Sequence, residues 1–248
     1  MVSPKFAFGV VTLVCLISIL NSYANSKLAF WDEQRKGANG GAADGTDEWF
    51  AAAAEVGIEY IRLSPSTMKS YSRDFLLGDA DKFFGIPEGD QEELMAVLDR
   101  ADKHGVKIVL TTFSLPGRRW RQHNNMEFDF RLWNDHGFQD RAMAFWQELA
   151  FELKDHPAIV GYNIVNEPHP EREAGFQAGQ TDGFEKWLEE NEGGVADLNR
   201  FYVQMLSAIR SVDKETPVFV DSRFHASPEG FHTLKPIDDP ALLYSFHF

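Results

Sequence analysis

The chain has a single cysteine, Cys15, in 248 residues. It can therefore form no internal disulfide, and its stability must come from a buried core. Basic residues are also scarce: 24 Lys and Arg stand against 38 Asp and Glu, a formal net charge of −14. Nucleic acids and anionic membranes both require a broad cationic face, so neither is expected as a partner. No Gly-x-Gly-x-x-Gly and no Gly-x-x-x-x-Gly-Lys occurs in the sequence, which removes the common dinucleotide and nucleotide-triphosphate cradles. His123, His136 and His169 lack metal-ligand spacing, so neither a metal nor another cofactor is expected. Long apolar runs are missing too, apart from Phe6 to Leu20, which follows Lys5 and precedes Asn21-Ser22-Tyr23-Ala24. That three-part layout is the pattern of a secretory signal peptide over residues 1–24, and the run is shorter than the roughly 20 residues of a membrane span. The expectation is a secreted, monomeric domain over residues 25–248, with no membrane contact once the peptide and Cys15 are cleaved away.

What the chain does contain is a rhythm of apolar run, polar loop and amphipathic stretch. Strands are expected at Leu28 to Trp31, Ile58 to Leu63, Val106 to Phe113, Ile159 to Val165, Val218 to Val220 and Leu242 to Phe248. Lys36 to Gly41 reads as the loop after the first. Helices are expected from Asp47 to Val56, from Asp90 to Gly105, from Asp135 to Lys154, over a short stretch around Phe184 to Leu188, and from Val195 to Val212. Leu94, Val97, Leu98 and Ala101 share one face, as do Phe138, Ala142, Phe145, Leu149 and Leu153, and as do Leu198, Phe201, Met205, Ile209 and Val212. Asp90-Gln91-Glu92-Glu93 has the Asp-x-x-Glu form of a capping box. Apolar strands alternating with helices imply a parallel sheet covered by helices. An open doubly wound sheet and a (β/α)8 TIM barrel both fit. The missing glycine fingerprint favours the barrel, of which about six βα units are present.

Chemistry concentrates at residues 161–170, Gly-Tyr-Asn-Ile-Val-Asn-Glu-Pro-His-Pro. An apolar strand delivers Asn166 and Glu167 to its C-terminal mouth, and Pro168 ends the ladder because it has no N–H. A carboxyl in that position, desolvated by Tyr162 and other aromatics, is expected to have a raised pKa and to give its proton to a leaving oxygen. Asn166 suits a sugar hydroxyl. Flat indole rings stack on pyranose faces. Trp120, between Arg119 and Arg121, is the best platform, with Trp31, Trp133 and Tyr162 as weaker candidates.

Asn166-Glu167-Pro168 at the end of a fourth strand resembles the acid/base signature of glycoside hydrolase family 5. This is a large family of secreted (β/α)8 enzymes, the cellulase and mannanase group, which hydrolyse β-glycosidic bonds with retention. Gly37-Ala38-Asn39-Gly40-Gly41 is similar to the family's Gly-x-Asn-x-Gly segment. Ile61-Arg62-Leu63 resembles the Arg-bearing end of strand two, Leu115-Pro116-Gly117 the turn after strand three, and Ser245-Phe246-His247-Phe248 the His-bearing end of strand six. The similarity runs over about residues 28 to 248. It implies a β-linked glucan or mannan as substrate and Glu167 as acid/base. It also implies Asn166 on the sugar, Arg62 and His247 as supports, and Asn39 in the first loop.

Two departures accompany the resemblance. Phe113 stands where the family often has a histidine. The family's second catalytic Glu, at the end of strand seven, has no counterpart in these 248 residues, although a retaining glycosidase needs two carboxyl groups about 5–5.5 Å apart. Asp221 is the nearest substitute and reads more readily as a turn cap. The sequence is therefore expected to be a fragment of a glycosidase, inactive alone. The alternatives are a carbohydrate-binding pseudoenzyme and a barrel enzyme of other chemistry.

Overall fold

Residues 27–41, 45–70 and 72–247 are described by a computed structural model; the expected signal peptide lies outside them. Six strands form one parallel sheet: β1 (Gly37–Gly41), β2 (Tyr60–Ser64), β3 (Lys107–Thr111), β4 (Ile159–Asn163), β5 (Val218–Asp221) and β6 (Leu242–Ser245). They pair in simple sequence order, so β1 and β6 are the two edges. The helices of eight residues or more among the described residues are α1 (Asp47–Glu55), α2 (Glu88–Lys103), α3 (His136–Leu153), α4 (Phe184–Asn191) and α5 (Leu198–Val212). No helix among the described residues is long and apolar enough to cross a membrane.

Alternation along the strands sorts their side chains into two faces. Ile61, Leu63, Ile108, Leu110, Tyr162, Val218 and Val220 are buried in the core on the helix side. Fully burying each such aliphatic side chain contributes about 1.5–3 kcal/mol, and this is the principal stabilisation of a fold without disulfides. The helical stripes meet them as expected: Leu94, Val97, Leu98 and Ala101 of α2, Phe138, Phe145 and Leu149 of α3, and Phe201, Met205 and Ile209 of α5 are all buried. The opposite face carries polar residues in register: Asn39 beside Arg62, Thr111 beside Asn163, and Asp221 beside Ser245. A polar concave face at the strands' C-terminal ends is what positions the site.

The first strand is not where the apolar pattern put it. Lys27–Trp31 is a 3-10 turn, and the glycine-rich Gly37–Gly41, expected as a loop, is β1. The reason is steric. A Cβ at Gly37 would lie 2.2 Å from the Tyr60 ring, and one at Gly40 would lie 2.8 Å from Trp49 and Ile61. Only glycine fits at these two positions of the strand, while Ala38 and Asn39 keep their side chains. Trp31 donates its indole N–H to the Val160 carbonyl at 2.9 Å and packs edge-on against Tyr60 and Phe219. These contacts lie toward the N-terminal ends of the strands, which removes Trp31 as a sugar platform. Trp133 is buried against Phe201.

Helix starts also differ in one case. Thr46, Asp135 and Asp197 cap α1, α3 and α5 with their side-chain oxygens. The expected capping box at Asp90 does not form: α2 begins at Glu88 behind Pro87, with no side-chain cap. The buried Asp90 carboxylate instead accepts the Leu76 N–H and the Ser70 hydroxyl, both at 2.9 Å. A missing cap costs only about 1 kcal/mol, less than leaving the N–H of the buried loop residue Leu76 unsatisfied (about 1–3 kcal/mol).

Candidate active site

The ladder of β4 ends at Asn163, three residues before the Asn-Glu pair. Beyond it the chain is held by other groups. The Ile164 carbonyl accepts the Thr112 hydroxyl at 2.6 Å and the Trp146 indole N–H at 3.1 Å, and the Asn166 N–H donates to the Thr112 carbonyl at 2.8 Å. Glu167 then takes a left-handed backbone conformation, φ 49°, which costs a non-glycine residue of order 1–3 kcal/mol. Two contacts hold it there. The Glu167 N–H donates to Asp221 Oδ2 at 3.0 Å. The buried Arg118 guanidinium donates to the carbonyls of Phe113, Asn166 and Glu167 at 2.6, 3.0 and 3.2 Å.

The Glu167 carboxylate faces a cleft of about 600 Å³ that is also lined by Asn39, Arg62, Phe113, Trp120, Asn166 and His247. Glu167 carries the one carboxyl group among the described lining residues. His247 Nδ1 is 3.0 Å from Glu167 Oε1, and facing a carboxylate that nitrogen must carry the hydrogen. Its Nε2 lies 3.8 Å from Asp221 Oδ2. Arg62 donates through Nη2 to Asn163 Oδ1 at 2.5 Å and to Asn166 Oδ1 at 2.9 Å, and stands 3.6 Å from Asp221. Asn163 completes the set by donating to Asp221 Oδ1 at 2.9 Å. Trp120 tilts against Phe113 with centroids 4.8 Å apart, so the two rings form an aromatic wall of the cleft. No group of three His, Cys, Asp or Glu among the described residues is placed to hold a metal ion.

The expected raised pKa of Glu167 is overturned. Burial does push its carboxyl up, but the hydrogen bond from His247, followed by the fields of His247, His225 and Arg62, outweighs it, and the group titrates below the usual range. Tyr162 plays no part: it lies on the helix side, with its hydroxyl donating to Asp213 at 3.0 Å. A folded pKa below the unfolded value means that this carboxylate stabilises the fold above the unfolded pKa. That contribution is lost as pH falls through the folded pKa. His247→Ala removes the largest downward cause and leaves burial, so the Glu167 carboxyl is expected to titrate at higher pH. Carbon-13 NMR of that carboxyl reads the change, and an unmoved titration would show that His247 is not what holds it down.

A polar cleft at the C-terminal mouth of a parallel sheet, with a glutamate after the fourth strand, can be compared with known proteins. The family model described as Cellulase (glycosyl hydrolase family 5) matches residues 29–248. This chain belongs to glycosyl hydrolase family 5. Among curated proteins, the family 5 chain is 31% identical over 144 residues to a beta-xylosidase of Phanerodontia chrysosporium, covering 57% of this chain and 25% of that one. It is 23% identical over 207 residues to endoglucanase C of Acetivibrio thermocellus, covering 82% of this chain and 50% of that one. The chain thus spans a quarter to a half of these relatives' lengths. Among solved structures, endoglucanase Cel5A of Pseudomonas stutzeri superposes with a TM-score of 0.57 at 23% identity, over 82% of this chain and 52% of its own. Cel5A of Thermotoga maritima in complex with mannotriose superposes with a TM-score of 0.56 at 19% identity, over 82% and 53%. These likenesses show the fold: the six-stranded sheet corresponds to part of a TIM barrel.

Within this family 5 chain, the six residues singled out from sequence all line the central cleft: Asn39, Arg62, Trp120, Asn166, Glu167 and His247. Their roles differ in detail. Asn39 lies on β1 rather than in a loop. Asn166 is buried and turns its carbonyl oxygen to Arg62. Sequence reading missed Asn163, Arg118 and His225. Asn163 left a signal, an amide inside an otherwise apolar strand, which a buried ladder tolerates only when its hydrogen bonds are met. Asp221 is neither a nucleophile nor a simple turn cap: it is fully buried, and both its oxygens are already engaged inside the network.

Proposed function

We propose that the protein is a secreted, monomeric retaining glycosidase acting on a β-linked glucan or mannan, with Glu167 as general acid/base. The observation that carries this reading is the placement of Glu167 as the sole described carboxyl lining the cleft, fixed in a strained conformation by Asp221 and aimed by His247. Strain of this kind persists only where the surroundings impose it, and it clusters at working sites.

In the proposed reaction Glu167 protonates the glycosidic oxygen while a second carboxylate attacks the anomeric carbon; Glu167 then takes a proton from the water that releases the sugar. The second carboxylate is assigned to a part of the protein outside these 248 residues, in keeping with the relatives' greater length. Its negative charge, about 5–5.5 Å away, would raise the Glu167 pKa, so that Glu167 takes up a proton from solvent and holds it for the leaving oxygen. Arg62 is positioned to pair with it. Asn166 and Trp120 bind the sugars beside the cleaved bond. Pseudomonas stutzeri Cel5A is known in complex with cellobiose and Thermotoga maritima Cel5A in complex with mannotriose, which motivates the glucan-or-mannan choice.

The test is hydrolysis of a β-linked oligosaccharide by the full protein, followed by proton NMR. The β-anomer should appear first and mutarotate later; first appearance of the α-anomer would overturn the retaining assignment. The lone described carboxyl in the cleft also supports a second reading, a carbohydrate-binding pseudoenzyme, for which oligosaccharide would bind with no product at all.

A further inference from the structure

On the other side of Glu167 and Trp120 lies a second, smaller cleft of about 210 Å³. Its walls come from the loops after β3, β4 and β5, the middle of the sheet, away from both edges. Trp120 and Glu167 line both clefts, so the smaller one is a side chamber of the central one. At this volume, below the roughly 300–1,000 Å³ of drug-sized sites, it suits one sugar unit rather than several.

Its charge is the opposite of the protein's. The chain carries a net charge of −14, yet Arg118, Arg119 and Arg121 line this chamber against two carboxyl groups, Asp129 and Glu167. Arg119 is taken up by Asp74, Asp79 and Asp81, and the lining acid Asp129 by Arg131 at 2.7 Å. Arg118 and Arg121 of the lining, and Arg172, which packs on the lining residue Phe128, form no ion pair among the described residues. Arg118 is buried and leaves its Nε–H without an acceptor. Arg121 and Arg172 hold their guanidinium carbons 4.6 and 4.5 Å from the centre of the same Phe128 ring. Arg121 is braced by the Met126 carbonyl at 2.9 Å, and Arg172 reaches His225 at 3.2 Å.

The rim is deliberately shaped. Phe224, His225 and Ala226 are three consecutive non-glycine residues in the left-handed region, φ 55°, 58° and 63°. The buried Glu171 carboxylate holds them by accepting the Phe224 N–H at 3.0 Å. The turn stacks His225 on His169 at 4.4 Å and brings its Nδ1 to 3.9 Å from Glu167. Burial and then the three arginines hold His225 below its ordinary pKa, against the pull of Glu167.

We propose that this chamber is a subsite for a sugar bearing a carboxylate: a uronic acid carried on the β-glycan, its carboxylate met by Arg121 and Arg172, which Phe128 holds together, and its ring by Trp120. The pairing follows from guanidinium forks, which match a carboxylate in geometry as well as charge, and from aromatic faces, which suit a pyranose. The inference rests on the proposed reading of the central cleft as a glycan site.

The experiment compares a β-linked oligosaccharide carrying one glucuronic acid with the same compound after carboxyl reduction, by titration calorimetry on the full protein. The acidic compound should bind about tenfold more tightly, the effect of one charge-assisted contact. The preference should fall below about twofold in the Arg121→Gln/Arg172→Gln double variant, whose affinity for the reduced compound should be unchanged. Equal affinity for the two compounds, or a preference that survives the double variant, overturns this inference alone. Failure of both compounds to bind overturns the glycan reading and this inference together. Inorganic phosphate, tested as competitor against sodium glucuronate, separates the sources of negative charge: tighter competition by phosphate would reassign the chamber and overturn the uronate assignment.

Discussion

Glu167→Gln is expected to lower turnover of polysaccharide by roughly 10²–10⁴, the usual worth of a positioned general acid. Glutamine keeps the size of the side chain and can still meet His247, so the fold and the cleft should be unchanged. What it cannot do is give a proton to a departing sugar oxygen. The loss should therefore be largest for natural glycosidic bonds, whose leaving groups are poor. It should be much smaller in the first step for an aryl glycoside that leaves without protonation. Steady-state kinetics on both substrates separate the cases. Near-normal turnover of polysaccharide by the variant would remove Glu167 from the chemistry.

The second large effect concerns stability. Asp221 is fully buried between Asn163, the Glu167 N–H and Arg62. Asp221→Ala would orphan two hydrogen-bond donors and leave the largely buried guanidinium of Arg62 without its nearest anion. Removing one partner of a buried ion pair costs about 3–5 kcal/mol, or roughly 6–20 °C in Tm for a domain of this size. Thermal unfolding followed by circular dichroism measures it. The cost should not add to that of Arg62→Met: the double variant removes the stranded charge as well and should recover part of the loss. A shift under about 1 °C in the single variant, or strict additivity in the double, would show that the network does not carry the stability assigned to it. Loss of the Asp221 contact should also free Glu167 from its φ of 49°, so catalysis should suffer even where the fold survives.

The sequence was most informative where the physics is local. The stripes of α2, α3 and α5 are legible because burial of one helix face repeats every three to four residues, whatever the rest of the chain does. It was misleading where a contact from far away overrules local habit. Gly37–Gly41 has the composition of a loop and is a strand paired with β2, its glycines at 37 and 40 standing where Tyr60 and Trp49 leave no room for a Cβ. Asp90 sits in a good capping pattern and serves a distant loop N–H instead. Glu167 looks like a desolvated acid when only its neighbours in sequence are considered. Its actual electrostatic environment is set by His247, 80 residues away, and by Arg62 and His225.

By itself, then, the sequence determined the alternation of strands and helices, the parallel sheet, and the arrival of Asn166 and Glu167 at a strand's C-terminal mouth. Each of these depends on side-chain order within a few residues. The tertiary structure alone decided how those groups are used. Asn163 meets Asp221 across 58 residues and Arg62 meets Asn166 across 104. Arg121 and Arg172 come to the same phenylalanine ring from separate loops. Ionisation and charge balance depend on what stands within a few ångströms in space, and neighbours in space are what a linear pattern does not contain.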